Sequence, residues 1–488
     1  MSSDLERDLS SAAVSVRSIP PVVFVWLLGL ATLAGAAAVV QPLAGIALAL
    51  IALAAALLRN TPVRRLGWAA VPLTAVAAIV GPNLAVPGVP WLFAFRILIV
   101  GLGLGLVGYI LIGGRLPVVA GLGRPVLLIS VWVLWSALSI LWARDTVAAA
   151  RWTLFLAMMA GMACAIGIAG RSSHGLTRIF KVLGATFCLA IAIAMAELVL
   201  GVRLPTSALL GQDRQVAFGA TSLFGNQNNF ATFLTLSLPY FLLLPVVSRD
   251  IRLRILGVGG TLAALGALLY TGSKSNLLAL GIVLLGLVAL TAGDRRGRGR
   301  VIGAVAVAVV SLVVVVPAVT GGGGLIKLPT RALDKFSFST LSGQVNSDTG
   351  SGGVRSSLQL DGLNLFVESG GLGVGAGNAE SEVAALPNAP PVPNLHNWWL
   401  EVLVNGGVIG FACWFALYLY LVSRCLRVGW RARDPFVKYL GFAGALSLLG
   451  FIAGGLAPST SIHFGPLWIA VGLAMAAVAV GHRTLGSR

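Results

Sequence analysis

Aspartate, glutamate, lysine and arginine together make up only 10% of this chain and it has four histidines, so the places where such groups gather near one another carry most of its chemical information. The stretch NLHNWWLEVLVNGGVIG, residues 394–410, holds His396, one of only four histidines, and then Asn397, Glu401 and Asn405 at i, i+4 and i+8. That spacing predicts a helix entering the membrane with one polar face, started by Pro393-Asn394. At about 1.5 Å of rise per residue, Glu401 falls roughly 7 Å below His396, inside the membrane boundary. An intramembrane carboxylate is costly unless paired, so Glu401 reads either as a functional group facing the bundle interior or as a polar anchor for helix packing. A neutral imidazole at the helix mouth can take a proton from a hydroxyl. Taken alone, His396 reads equally as an interfacial residue beside the headgroup anchors Trp398 and Trp399.

A second set is cationic. Arg214 sits in GQDRQVAFGATSLFGNQNNF, Arg355 heads RSSLQLDGLNLF, Lys274 lies in the tight turn TGSKSN, and Arg96 follows WLFAF. Guanidinium groups hold phosphate bidentately, so several converging on one cleft would suit a diphosphate. For any one of them, pairing with a nearby acid is the competing reading, and Arg96 with Glu197 is an obvious pair. The same region shows no DxD pair and no carboxylate cluster with cation-ligand spacing, which predicts metal-independent chemistry without a cofactor.

The elements that must position these groups are membrane helices. With 57% hydrophobic residues over 488 positions, the chain is an all-α polytopic membrane protein. Apolar segments fall at about 22–40, 43–58, 66–80, 91–112, 126–142, 152–169, 182–200, 223–247, 255–271, 275–292, 301–319, 398–423, 439–457 and 465–481, which predicts 12–14 transmembrane helices. The net charge of +18 raises the prospect of a nucleic-acid partner, but alternate connections such as RNTPVRR, SRDIRLR, GDRRGRGR and RCLRVGWRARDPFVK hold most of the basic residues. The positive-inside rule makes those connections and both termini cytoplasmic, so the charge reports topology and no nucleic acid is expected. Cys164, Cys188, Cys413 and Cys425 have no CxxC spacing and read as small core residues.

Three regions follow: helices through 1–319, a large extracytoplasmic loop 320–397, and C-terminal helices 398–488. The loop exceeds simple connections and carries slightly more acid than base, so any anion it binds is held by particular residues. Within it, Leu358, Leu363, Leu365, Phe366 and Val367 predict a short amphipathic helix at the outer interface. The following GLGVGAG lacks the strand and ribose-binding acid of a dinucleotide site and reads as a flexible exit turn.

Several of these stretches together resemble the O-antigen ligase and O-antigen polymerase superfamily of bacterial membrane glycosyltransferases. HNWWLEVLVNGGVIG is similar to that family's His-Asn signature. RSSLQLDGLNLFVESGGLGVGAGN resembles its Arg-led helix with a GxGxG exit, FGNQNNFATFL its Gly-Asn-x-Asn helix start, and TGSKSNLLAL its Thr-x-Ser-Arg turn. Lys274 stands where the family usually has Arg, and Gln227 where it often has Pro. The resemblance implies a GT-C-like glycosyltransferase fold with short helices in the outer loop, in the cytoplasmic membrane with its site facing out. It implies a polyprenyl-diphosphate-linked glycan donor and a glycan, glycolipid or other hydroxyl acceptor among the membrane lipids. It further implies His396 as the catalytic base, with Arg214 and Arg355 on the diphosphate; Lys274, Arg96, Asn397, Glu401 and Asn228 complete the expected substrate-binding set. Since the anomeric carbon–diphosphate bond is already activated, such a site needs a base and cations, and direct displacement inverts the anomeric centre. Ligase and polymerase are both open on the sequence. A secondary transporter or flippase is a more remote alternative, because matched halves and a midplane site are not evident.

Overall fold

The computed structural model describes residues 63–86, 89–111, 119–211, 219–291, 351–387, 393–458 and 462–486. The expected apolar segments 22–40, 43–58 and 301–319, the loop opening 320–350, and Arg214 lie outside the described residues. Numbering only described elements, the helices are α1 (Val63–Val80), α2 (Ala94–Leu111), α3 (Gly123–Leu138), α4 (Thr146–Ala169), α5 (Ser173–Val199), α6 (Gln227–Leu242) and α7 (Leu244–Val247). They continue with α8 (Ile251–Thr271), α9 (Lys274–Thr291), α10 (Ser351–Glu368), α11 (Ala379–Ala384), α12 (Trp398–Arg431), α13 (Pro435–Gly454) and α14 (Gly465–Gly486). Contacts divide the chain into two compact units. Of the described residues, 63–67 and 100–111 belong to one, and 68–99 and 119–486 to the other, which holds every element discussed below.

Eight of the described helices are long and apolar enough to cross a membrane, and the chain is a multi-pass membrane protein. In hydrocarbon every backbone polar group has to be satisfied inside the segment, which is why apolar runs of this length become helices. Their starts are set by small polar side chains that accept the first free N–H groups. Asp145 accepts from Ala148 N (2.9 Å) at α4, Ser172 from Gly175 N (3.1 Å) at α5, Asn226 from Asn228 N (2.8 Å) at α6, and Asp434 from Phe436 N (2.8 Å) at α13. One exception to an all-helical chain is a two-stranded antiparallel ribbon, β1 (Ala85–Val86) with β2 (Val89–Phe93), in the GPNLAVPGVP link. Pro82 and Pro90 remove helix donors there, while the valines favour an extended backbone.

At the centre of the larger unit four fully buried tryptophans pack together: Trp132 of α3, Trp398 and Trp414 of α12, and Trp468 of α14. Their ring centroids stand 5.4 to 6.5 Å apart in tilted, stacked and edge-on pairs, the offset geometries that aromatic quadrupoles favour. Leu127, Leu134, Leu189, Met195 and Val199 instead point outward from α3 and α5, as lipid-facing residues do. The tryptophan cluster matters for function because Trp398 lies two residues after His396 and fixes where that histidine can stand.

Candidate active site

The mouth of α12 is held from three sides. Asn397, not Asn394, is its cap: the Asn397 carboxamide oxygen accepts from Trp399 N (3.1 Å) and Leu400 N (3.3 Å). Trp398 N donates to Gly455 O (2.8 Å) and Trp399 Nε1 to Ile452 O (3.2 Å), tying the mouth to the end of α13. Asn394 does a different job from the helix start expected of it. Its carboxamide oxygen accepts the His396 N–H (2.8 Å), and its Nδ2 donates to the Glu380 carboxylate. This turn holds His396 at φ +50°, in the left-handed region that a residue with a Cβ seldom adopts. The His396 Nδ1 is buried with no hydrogen-bond partner among the described residues.

Arg355 comes to this histidine on α10. The helix does not simply lie at an interface: Leu358 and Leu365 are buried against Leu395, Val404, Ala379 and Val383, with Phe366 and Leu400 at the edge. Gly362 lets α10 approach closely, since a Cβ there would stand 2.9 Å from Leu395 Cδ2. Leu363 and Val367, read from the sequence as part of the same apolar set, are exposed together with Leu360. The buried set follows i, i+4, i+7, i+8, and a helical period leaves Leu363 and Val367 on the other side. Arg355 is one turn from Leu358, and Leu358 packs beside the residue preceding His396. Burial chiefly, and then the Arg355 guanidinium, hold the His396 imidazole below its ordinary value of 6.5, so it is neutral at pH 7.

The polar stripe below His396 is largely structural. Asn397 caps, and Asn405 Nδ2 donates to Glu401 O (2.9 Å) while its oxygen accepts Ala379 N (3.0 Å), the first amide of α11. Glu401 is buried, 6% exposed. The GLGVGAG stretch is likewise not a loose turn. Val374 N donates to Val404 O (2.9 Å), Val408 N to Gly371 O (2.9 Å), Trp142 Nε1 to Gly373 O (3.0 Å) and Ala376 N to Ser139 Oγ (2.9 Å). The stretch enters a break in α12 at Gly407, whose φ of +62° and ψ of −166° are not helical. A Cβ at Gly407 would collide with Leu372 O, and one at Gly373 with Gly407 N.

A buried polar network joins α6, α9 and α13 at the same end of the bundle. Thr232 Oγ1 lies 3.0 Å from Asn228 O and 3.3 Å from Gly454 O. Asn276 Nδ2 donates to Thr232 Oγ1 (3.1 Å) and Ser273 Oγ (3.0 Å) and its oxygen accepts from Thr235 Oγ1 (3.1 Å). Asn228 and Lys274, at the starts of α6 and α9, therefore share the end where Gly455 receives Trp398. Arg96 does not pair with Glu197. Its guanidinium carbon stands 4.7 Å from the ring centroids of both Phe93 and Phe155. Glu197 instead pairs with Arg203 (3.5 Å) and accepts from Thr221 N (2.7 Å), Thr221 Oγ1 (2.8 Å) and Ser222 N (3.0 Å). An arginine six residues ahead is nearer at hand, and the amides of Thr221 and Ser222 also reach the carboxylate. Asn394 and Glu380 were missed on sequence; the signal that could have found Asn394 is its place two residues before His396, the spacing of an Asx turn.

Residues 259–415 match the family model described as O-antigen ligase. The chain is also 24% identical over 357 residues to the teichuronic acid biosynthesis protein TuaE of Bacillus subtilis (strain 168), a match covering 72% of this chain and 71% of that protein. The matched region runs from α8 through α9 and α10 to Phe415 on α12, and so takes in Lys274, Arg355 and His396. Together the family match over 259–415 and this relative agree with the resemblance read from the sequence: the chain is similar to the O-antigen ligase family.

Proposed function

We propose that the protein moves a glycan from a polyprenyl diphosphate to an acceptor hydroxyl, with His396 as base and Arg355 holding the diphosphate. The acceptor oxygen attacks the anomeric carbon and its proton passes to His396. The bond from that carbon to the diphosphate breaks, its electron pair leaves with the diphosphate oxygen, and the anomeric configuration inverts. Carrying this reading is the packing of α10, which bears Arg355, against Leu395, beside a His396 whose Nδ1 is buried without a partner among the described residues; burial and the Arg355 cation keep that imidazole neutral. A cation beside a base disfavours protonating the base before the acceptor arrives and stabilises the negative charge that grows on the leaving group. Lys274 and Asn228, at the same end of the bundle, and Arg214 complete the proposed donor contacts, with Lys274 giving a point charge instead of a bidentate fork. The arrangement of basic connections supports reading this end as the outer side of the cytoplasmic membrane.

The test is transfer by the purified chain in proteoliposomes supplied with a polyprenyl-diphosphate-linked glycan and a candidate acceptor. Arg355→Gln should weaken donor use by at least about tenfold, in line with a lost charge-assisted hydrogen bond of roughly 1.5–3 kcal/mol. Unchanged donor use would remove Arg355 from the diphosphate. A second reading within the same chemistry is a polymerase joining lipid-linked repeat units, which the family likeness leaves open beside a ligase. Cells lacking the protein separate the two: loss of a polymerase shortens chains, whereas loss of a ligase leaves long chains unattached.

A further inference from the structure

A second polar site lies far from His396, at the other end of α12. Tyr420 and Arg424 of that helix, Gly121, Gly123 and Arg124 at the start of α3, and His482 near the end of α14 line a cavity of about 380 Å³. From Asn397 to Arg424 is roughly 40 Å at 1.5 Å per residue, so this cavity and the candidate active site open at opposite ends of the bundle. Its walls are built, not incidental. Tyr420 Oη donates to Gly121 O (3.3 Å), and Gly121 turns with φ +87° where a Cβ would meet His482 Cβ at 3.4 Å. Arg424 Nε is buried with no hydrogen-bond partner among the described residues.

We propose that this cavity binds a phosphate ester, the headgroup of an anionic phospholipid or a free phosphate, through Arg124, Arg424 and His482. Three groups that carry or can take positive charge face one space with no carboxylate among its lining residues. Gly123 and Arg124, the first two residues of α3, are among the lining, and the cap residue Leu122 makes no side-chain hydrogen bond to the helix start. A forked donor with an unsatisfied buried nitrogen, a second arginine and an imidazole match the several oxygens of a phosphate, and basic pockets between membrane helices hold lipid headgroups in this way. The glycan-transfer chemistry uses none of these residues.

Native mass spectrometry of the full-length purified chain in detergent tests this, with phosphatidylglycerol, phosphatidylcholine and inorganic phosphate as probes. The wild type should retain phosphatidylglycerol at least about tenfold over phosphatidylcholine, or retain phosphate. Arg424→Gln and the exposed-side pair Arg124→Gln with His482→Gln should each lose that retention about tenfold. Retention of phosphatidylglycerol that millimolar phosphate leaves intact assigns a lipid headgroup, and retention of phosphate without lipid preference assigns a free anion. The proposal is overturned if the wild type shows neither preference. It is overturned equally if Arg124→Gln with His482→Gln binds as the wild type does, whatever Arg424→Gln does to folding.

Discussion

Replacing Gly407 with alanine isolates what the break in α12 contributes. At φ +62° and ψ −166° the backbone lies in a region open essentially to glycine alone, which sets about 1–3 kcal/mol against any other residue. The new Cβ would also collide with Leu372 O, and that carbonyl belongs to a backbone segment unable to swing aside as a side chain could. Moving it disturbs two bonds, Val408 N to Gly371 O and Val374 N to Val404 O, worth about 1 kcal/mol each. The expected loss is roughly 3–5 kcal/mol, or a slackened clasp with α10 and its Arg355 no longer fixed beside His396. Gly370→Ala is the control. It shares a left-handed φ of +62° but meets nothing within 4 Å, so about 1–2 kcal/mol is expected. Denaturation in mixed detergent micelles reads both, and transfer in proteoliposomes reads the functional consequence. Equal stability and equal transfer for the two variants would refute the clasp as the element that positions Arg355.

Three further outcomes are expected. Asn394→Ala removes the oxygen that holds the His396 N–H; the transfer rate should fall about tenfold with donor KM unchanged, a split that a purely structural loss would not give, and Asn394→Asp should recover part of it. Because the folded His396 resists protonation, its neutral form persists below pH 6.5, and the acid limb of transfer should lie below that value; Arg355→Gln should move the limb to higher pH by removing the neighbouring cation. The same depressed value means that the unfolded chain takes up the proton first as pH falls through 6.5, so stability drops there and not above it, which unfolding across pH 5–8 checks. Glu197→Gln takes the carboxylate from the Arg203 pair and weakens the hold on Thr221 and Ser222; a loss of roughly 3–5 kcal/mol in micelle denaturation is expected.

The membrane helices were legible because long apolar runs admit one solution in hydrocarbon. His396 and Arg355 were legible by type and by family likeness, and the structure brings the two together. What could not be read was which acid each arginine meets, since the pairing of Glu197 with Arg203 and its hold on the amides of Thr221 and Ser222 leave no periodic trace. Periodicity also named Asn397 and Asn405 without revealing that their oxygens serve a cap and the start of α11. The glycine-rich exit looked loose because glycine marks both flexible and tightly threaded backbone; only the position of Gly407 opposite Gly373 tells them apart.

The central claim is that His396 takes the acceptor proton, and rescue of His396→Ala by added imidazole tests it most directly. In proteoliposomes with a polyprenyl-diphosphate-linked glycan, the variant should bind donor normally, lose transfer by at least about a hundredfold, and recover part of it as imidazole is raised at a pH where that imidazole is neutral. Transfer by His396→Ala at the wild-type rate would contradict the account.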